Sequence, residues 1–245
     1  MSDIMRNSRK QFIWGSIILG FVIGAAGCTK GGATVNNPAV CYISIMNQAP
    51  YGVGADIYFN GTQVTANGGI LPGQFSSQYG SVKPGTYTVD FKKAGTDSLL
   101  VELPAVAYDT STFYTLVLYN TAPGSSAMQA ARITDDFSQV SQMGALNAYY
   151  RFLNLSPDEP NVNLYLSGTL EQPNREPKDF VSTILYDQFQ AISPQVYNIQ
   201  VKDANSDSVV ATLASTPLAA GSAYTIFLGG KISTGFTISV LPALF

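Results

Sequence analysis

The sequence contains no histidine, and of its 245 residues only two are cysteine, one is tryptophan and 12% are charged. The missing imidazole excludes Ser-His-Asp and Cys-His nucleophilic centres and removes the commonest zinc ligand. Two cysteines, Cys28 and Cys41, permit one disulfide at most. Beyond residue 37 no long stretch carries apolar residues at a helical period, which excludes a helical bundle. The 13 basic residues are outnumbered by 16 acidic ones, so there is no electrostatic footprint for nucleic acid.

What is present begins with a targeting segment. Arg6, Arg9 and Lys10 precede an uncharged run, Gln11 to Gly27, whose apolar character comes from residues such as Phe12, Ile13, Trp14, Leu19 and Phe21. A basic region, an apolar region and the small residues Gly24 to Gly27 together make a signal peptide with a cleavage site. The run falls short of the roughly 20 apolar residues that span a bilayer. Ala25-Ala26-Gly27-Cys28 resembles the lipobox of bacterial lipoproteins, in which the cysteine sulfur receives a diacylglyceryl group before cleavage. Ala25 stands where Leu is usual, and an ordinary secretory signal next to an unrelated cysteine is the alternative. A lipidated Cys28 would carry several acyl chains, enough for stable anchoring where one chain is marginal.

Cleavage before Cys28 leaves 218 residues with 10 basic and 15 acidic side chains, a net charge of −5. Cys41 is then the one free thiol, so no intramolecular disulfide is available and burial must supply stability. Thr29 to Asn37 is rich in Gly, Thr and Asn and reads as a flexible tether. Thr29-Lys30-Gly31-Gly32 lacks the acidic residues that send some lipoproteins outward. The expected location is therefore the cell envelope, lipid-anchored to the outer membrane on its periplasmic face, with the cell surface as the alternative.

The remainder repeats itself. Ile45-Met46-Asn47-Gln48-Ala49-Pro50 aligns with Phe152-Leu153-Asn154-Leu155-Ser156-Pro157 at an offset of 107, as Asp56 to Thr62 does with Asn163 to Thr169. Pro84 and Tyr87, Asp97-Ser98, and Tyr114-Thr115 recur at an offset of 110. Each copy offers short β-branched and aromatic segments, such as Tyr42 to Ile45 and Thr86 to Phe91, separated by turn signals such as Asn60-Gly61 and Lys83-Pro84-Gly85. About seven such strands per copy predict an all-β chain of two tandem immunoglobulin-like β-sandwich domains. The expected boundaries are 1–27 for the signal peptide, 28–38 for the tether, 39–134 for the first sandwich, 135–147 for a linker and 148–245 for the second. So short a linker predicts repeats that touch rather than swing freely.

Tyr150-Arg151-Phe152-Leu153-Asn154-Leu155-Ser156-Pro157-Asp158 and the strand Val162-Asn163-Leu164-Tyr165 resemble the opening of domain-of-unknown-function family 4397. That opening is an alternating strand, an Asn or His, Ser-Pro-Asp, and a Val-Asp-Val-Tyr strand with a Gly turn. Asn163 replaces the usual Asp, which Asp56 keeps in the first copy, where Ala49-Pro50-Tyr51 replaces Ser-Pro-Asp. The resemblance covers residues 39 to 245. It implies secreted or lipid-anchored β-sandwich modules and no catalytic residues to carry over.

Candidate sites are few. Cys41 begins a strand without a basic partner and reads as an inert, half-buried thiol. Asp135-Asp136 and Asp158-Glu159 are the acidic pairs, and a glycosidase needs two carboxylates held about 5–10 Å apart across a sugar. Adjacent loop residues do not supply that spacing, so solvated loop charge is expected. Asp203 to Asp207 has calcium-loop-like oxygen spacing but lacks the later Gly and Glu, and reads as a hairpin turn. Asp97-Ser98-Leu99 and Asp207-Ser208-Val209 resemble an O-glycosylation acceptor of some envelope bacteria; a turn entering a strand is the other account of Ser98 and Ser208. Asn60-Gly61-Thr62 and Asn154-Leu155-Ser156 fit the eukaryotic sequon, whose enzyme a bacterial lipoprotein does not normally meet. Tyr58, Tyr87, Tyr114, Tyr165, Tyr197 and Tyr224 recur in both copies and are assigned core and corner roles. Tyr51, Phe75, Tyr79 and Tyr186 fall outside the repeat pattern and are the candidates for an exposed sugar-binding platform.

The expectation is a non-catalytic envelope protein, needing no cofactor or metal, that binds an envelope protein or a glycan. The alternatives are a carboxylate-dependent glycan hydrolase and a purely structural spacer.

Overall fold

The first repeat supplies strands β1 (Cys41–Gln48), β2 (Ala55–Phe59), β3 (Thr62–Gln63), β4 (Gly80–Val82), β5 (Gly85–Lys93), β6 (Leu99–Tyr108), β7 (Phe113–Asn120) and β8 (Met128–Asp135). The second supplies β9 (Ala148–Asn154), β10 (Val162–Leu166), β11 (Thr169–Arg175), β12 (Gln190–Ile192), β13 (Gln195–Asp203), β14 (Val209–Leu218), β15 (Ala223–Lys231) and β16 (Gly235–Pro242). These come from a computed structural model that describes residues 39–66, 68–142 and 146–243. The expected signal peptide, Cys28 and the expected tether lie outside the described residues. Among those described, no helix is long and apolar enough to cross a membrane.

The chain is all-β, as the strand signals predict, with two sandwich-like units. Each has eight strands rather than about seven. One sheet runs β4-β1-β7-β8 and faces β3-β2-β5-β6; the second repeat reproduces this as β12-β9-β15-β16 facing β11-β10-β13-β14. The first strand of each repeat pairs in parallel with the seventh, β1 with β7 and β9 with β15, while the other pairings are antiparallel. Between the sheets lie two equivalent cores. Ile43, Ile45, Ile57, Phe91 and Leu116 fill the first; Tyr150, Phe152, Leu164, Val201 and Ile226 fill the second.

Matched residues do matched work. Tyr87 donates its hydroxyl to the Lys83 carbonyl at 2.9 Å and Tyr197 to that of Ser193 at 2.7 Å, each pinning a corner four residues upstream. The Tyr114 and Tyr224 hydroxyls accept from the amides of Asp109 and Ala219. Asn47 and Asn154 are fully buried, and their side-chain amides hold the loop that follows: Asn47 donates to the carbonyls of Val53 and Ile70, Asn154 to those of Glu159 and Arg175. Burial also leaves no acceptor for a glycan at Asn154.

Tyr58 and Tyr165 depart from the expected core role. They stand half-exposed on the outer sheets, with Lys92 and Lys202 over their rings at 4.6 and 4.7 Å. Each sits at an outward-facing position of its strand, between buried neighbours on either side, so the repeat conserves a surface stack rather than a core contact.

The central strands of the inner sheets, β1, β7, β9 and most of β15, are buried on both faces. Every residue of β9 is buried, as is every residue of β7 after Phe113. One parity of each strand faces its own sandwich. The other parity faces the neighbouring repeat, so four sheets stack into one body.

Candidate functional site

Met46, Val117, Tyr119 and Ile133 of the first repeat pack on Leu153, Leu155, Phe227 and Leu241 of the second, making a third apolar core. Loops clasp it from both sides in a near two-fold arrangement. Gly73 N–H bonds the Asn47 carbonyl and Lys178 N–H bonds the equivalent Asn154 carbonyl, and two residues further on each loop presents a phenylalanine. Phe75 meets Phe227 edge-on at 5.5 Å, and Phe180 meets Tyr119 at 6.0 Å. Tyr51 and Asp158 occupy the same position in the two repeats, and they meet: the Tyr51 hydroxyl donates to Asp158 Oδ2 at 2.6 Å. Lys231 lies over the Tyr51 ring at 4.5 Å. Gly229 on β15 belongs to the same seam, because a Cβ there would stand 2.8 Å from Gln48 Oε1 of the facing strand.

A charged pair is buried in this seam. Asp135, the last residue of β8, is 4% exposed and Arg151, in the middle of β9, is 2% exposed; Arg151 Nη1 lies 2.6 Å from Asp135 Oδ1. The other carboxylate oxygen accepts from the hydroxyls of Thr115 at 2.6 Å and Tyr79 at 2.8 Å. Arg151 also donates to Thr225 and to the Asp187 carbonyl, and its guanidinium lies over Phe189 at 4.6 Å. A buried charge is tolerated only when paired and hydrogen-bonded, and both conditions are met here. Burial pushes the Tyr79 phenol far up, with the Asp135 charge adding to it.

Asp135 is therefore not solvated loop charge, whereas Asp136 beside it is exposed. The expectation fails because it considers the acidic dipeptide without the cation that the second repeat supplies. Asp158 is likewise committed, accepting from the Ile232 amide as well as from Tyr51. Burial raises the Glu159 carboxyl above its ordinary value, and the nearby Asp203 charge adds to it.

The four aromatics proposed as an exposed platform are not one. Tyr51, Phe75 and Tyr79 make the contacts just described, and Tyr186 lies under the Arg175 guanidinium at 4.0 Å beside the third core. Tyr51 and Phe75 build the contact between repeats, whereas Tyr79 braces Asp135 within the first repeat and Tyr186 packs on Arg175 within the second. Arg175, itself buried, grips both carboxylate oxygens of Asp179 at 2.6 and 2.8 Å and so fixes the 3-10 turn Asp179–Val181 that carries Phe180. Residue patterning gave one usable signal for this seam: Arg151 is a lone cation inside an otherwise apolar strand.

The remaining candidates are local. Cys41 is fully buried, its Sγ directed at the carbonyl of Val82, and burial raises its thiol pKa. Asp203 accepts from the amides of Asn205 and Ser206, a hairpin turn, and these hydrogen bonds lower its pKa. No group of three or more Cys, Asp or Glu among the described residues could hold a metal ion. Ser98 and Ser208 are exposed beside Asp97 and Asp207.

Two clefts open on the surface, the second of them between the repeats. One, about 490 Å³, is lined by Ser111 to Phe113 and Thr134 to Ser138. The other, about 460 Å³, runs between Ala130 to Ile133 of β8 and the segment bearing Phe180, Val181 and Ile184.

A face-to-face pair of β-sandwich repeats is thus the class of protein that the fold and the seam define. The domain of unknown function DUF4397 matches residues 41–165 and again 148–243, and the chain belongs to that family. No curated protein matches it.

Proposed function

We propose that this is a non-catalytic, lipid-anchored protein of the bacterial cell envelope, and that its immunoglobulin-like repeats form a rigid binding or adhesion module for an envelope protein or a glycan. One observation carries the reading: three carboxylates at or beside the seam are spent on internal structure. Asp135 is neutralised by Arg151, Asp179 by Arg175, and Asp158 is held by Tyr51. A glycan hydrolase needs two free carboxyls across one groove. The two clefts combine hydroxyls, aromatic edges and aliphatic side chains with Asp136 in one and Arg132 and Asp187 in the other, a mixture that orients a bound ligand.

The anchor in this reading is Cys28, with the body held at the periplasmic face of the outer membrane by the 28–38 tether. Pull-down from detergent-solubilised envelopes, run with a glycan array, tests the binding role; specific capture is expected in one of them. Silence in both would overturn it in favour of a structural spacer. Burial of both inner sheets against each other supports that second reading, since a stiff four-sheet body holds distance well.

A further inference from the structure

Strand β8 ends the sheet β4-β1-β7-β8, so among the described residues one edge of its backbone has no strand beside it. An open edge is a template for another extended chain, and proteins commonly blunt it with proline, lysine or a bulge. β8 has none of these. Met128–Asp135 holds no proline or lysine and pairs with β7 through eight consecutive positions without a shift, whereas the counterpart strand β16 ends in Pro242. Ala131 and Ile133 turn toward the third core, while Met128 and Ala130 turn into the first sandwich.

What faces this edge is peculiar to the second repeat. After Phe75 four residues, 76–79, lead to β4; after the equivalent Phe180 nine residues, 181–189, lead to β12. The longer segment includes the 3-10 turn Ile184–Tyr186 and leaves Val181, Ile184 and Leu185 each more than half exposed. Val181 and Ile184 stand across the cleft of about 460 Å³ from Ala130 to Ile133. An exposed apolar lip opposite an unprotected strand edge marks an interaction surface. Arg132 adds charge to it. Its guanidinium donates to the Ala107 carbonyl and lies over the Tyr108 and Tyr114 rings, and among the described residues it forms no salt bridge.

We propose that this cleft receives an extended peptide segment of an envelope protein, which adds to β8 as a fifth strand of the inner sheet. The proposal rests on the binding role given above and names the partner's chemistry. Alternate side chains of the added strand are apolar and pack against Val181 and Ile184, on the side of Ala131 and Ile133; the others are polar, with an acidic one beside Arg132. Asp187, on the opposite lip, disfavours acid on the apolar side. Main-chain hydrogen bonds supply affinity and the side-chain alternation supplies specificity.

A library of random dodecapeptides displayed on phage, selected on the full chain in mild detergent, is the probe. Sequences alternating apolar and polar residues with one acid are expected. A synthetic copy of one should bind Ile184→Glu about tenfold more weakly than wild type, and that exposed position allows the variant to fold. Methylating the peptide's amides at one parity should abolish binding, and at the other leave it unchanged, because only every second residue of an added strand bonds to β8. No enriched peptide, equal affinity for Ile184→Glu, or equal effects of the two methylations would overturn the proposal. So would binding that appears only after residues 28–38 are removed, which would give the cleft to the chain's own tether, or a dimer that Ile184→Glu disperses, which would give it to a second copy. Specific capture in the envelope pull-down or on the glycan array alongside any of these failures moves the binding role to another surface, whereas silence there as well removes both readings.

Discussion

Arg151 holds a position that no strand propensity explains. It sits between Tyr150 and Phe152 on a strand buried along its whole length, and its charge is satisfied by a residue 16 positions earlier in the other repeat. Removing it leaves Asp135 buried and unpaired. Arg151→Met is expected to cost about 3–5 kcal/mol, read as a lowered urea midpoint, whereas Arg151→Met with Asp135→Leu should recover most of that loss. The corner tyrosines act on a smaller scale. Tyr87→Phe and Tyr197→Phe each delete one hydrogen bond and should cost about 0.5–1.5 kcal/mol, by similar amounts if the repeats use them alike. Alkali reports on the phenols. Burial holds Tyr108 and Tyr150 up at about 12, above the ordinary value of 10. The unfolded chain therefore loses these protons first, so their contribution is fully present below pH 10 and disappears as pH rises through 12. Melting temperature followed from pH 8 to 12 should be flat, then fall, and Tyr108→Phe should flatten part of the fall.

Strands were the most legible part of the sequence, since Asn60-Gly61, Lys83-Pro84-Gly85 and the alternating segments between them need only local chemistry to be recognised. The parity of those strands was less legible. Tyr114, Leu116 and Leu118 face one core while Thr115, Val117 and Tyr119 face another, so Phe113 to Tyr119 is apolar at nearly every position. Such a run distinguishes a strand covered on both sides from one with a wet face. Asp135, Tyr51 and Phe75 escape a local reading for one reason: their partners Arg151, Asp158 and Phe227 lie in the other repeat, and no local pattern names a partner over that distance. The element that most depends on such a partner is the turn bearing Phe180. Phe180→Ala removes a ring that is 4% exposed and should destabilise by about 3–5 kcal/mol, measured by denaturant titration.

At the scale of the whole molecule, a shared third core makes the repeats one thermodynamic unit. Near- and far-ultraviolet circular dichroism should report a single coincident unfolding transition; two separated transitions would show repeats that melt alone. The anchor is tested at this scale too. Cys28→Ser should move the protein from the membrane to the soluble fraction, and continued membrane retention would remove lipidation from the proposal. The parallel pairing of first and seventh strands carries a consequence in time. Tyr42 lies opposite Phe113, 71 residues later, and Tyr149 opposite Ala223, 74 residues later. A repeat emerging from a ribosome or an export channel cannot seat its first strand until almost its last has appeared. Folding of each half is therefore a late event, paced by the closure of that long loop, and the chain remains threadable for as long as transport requires it.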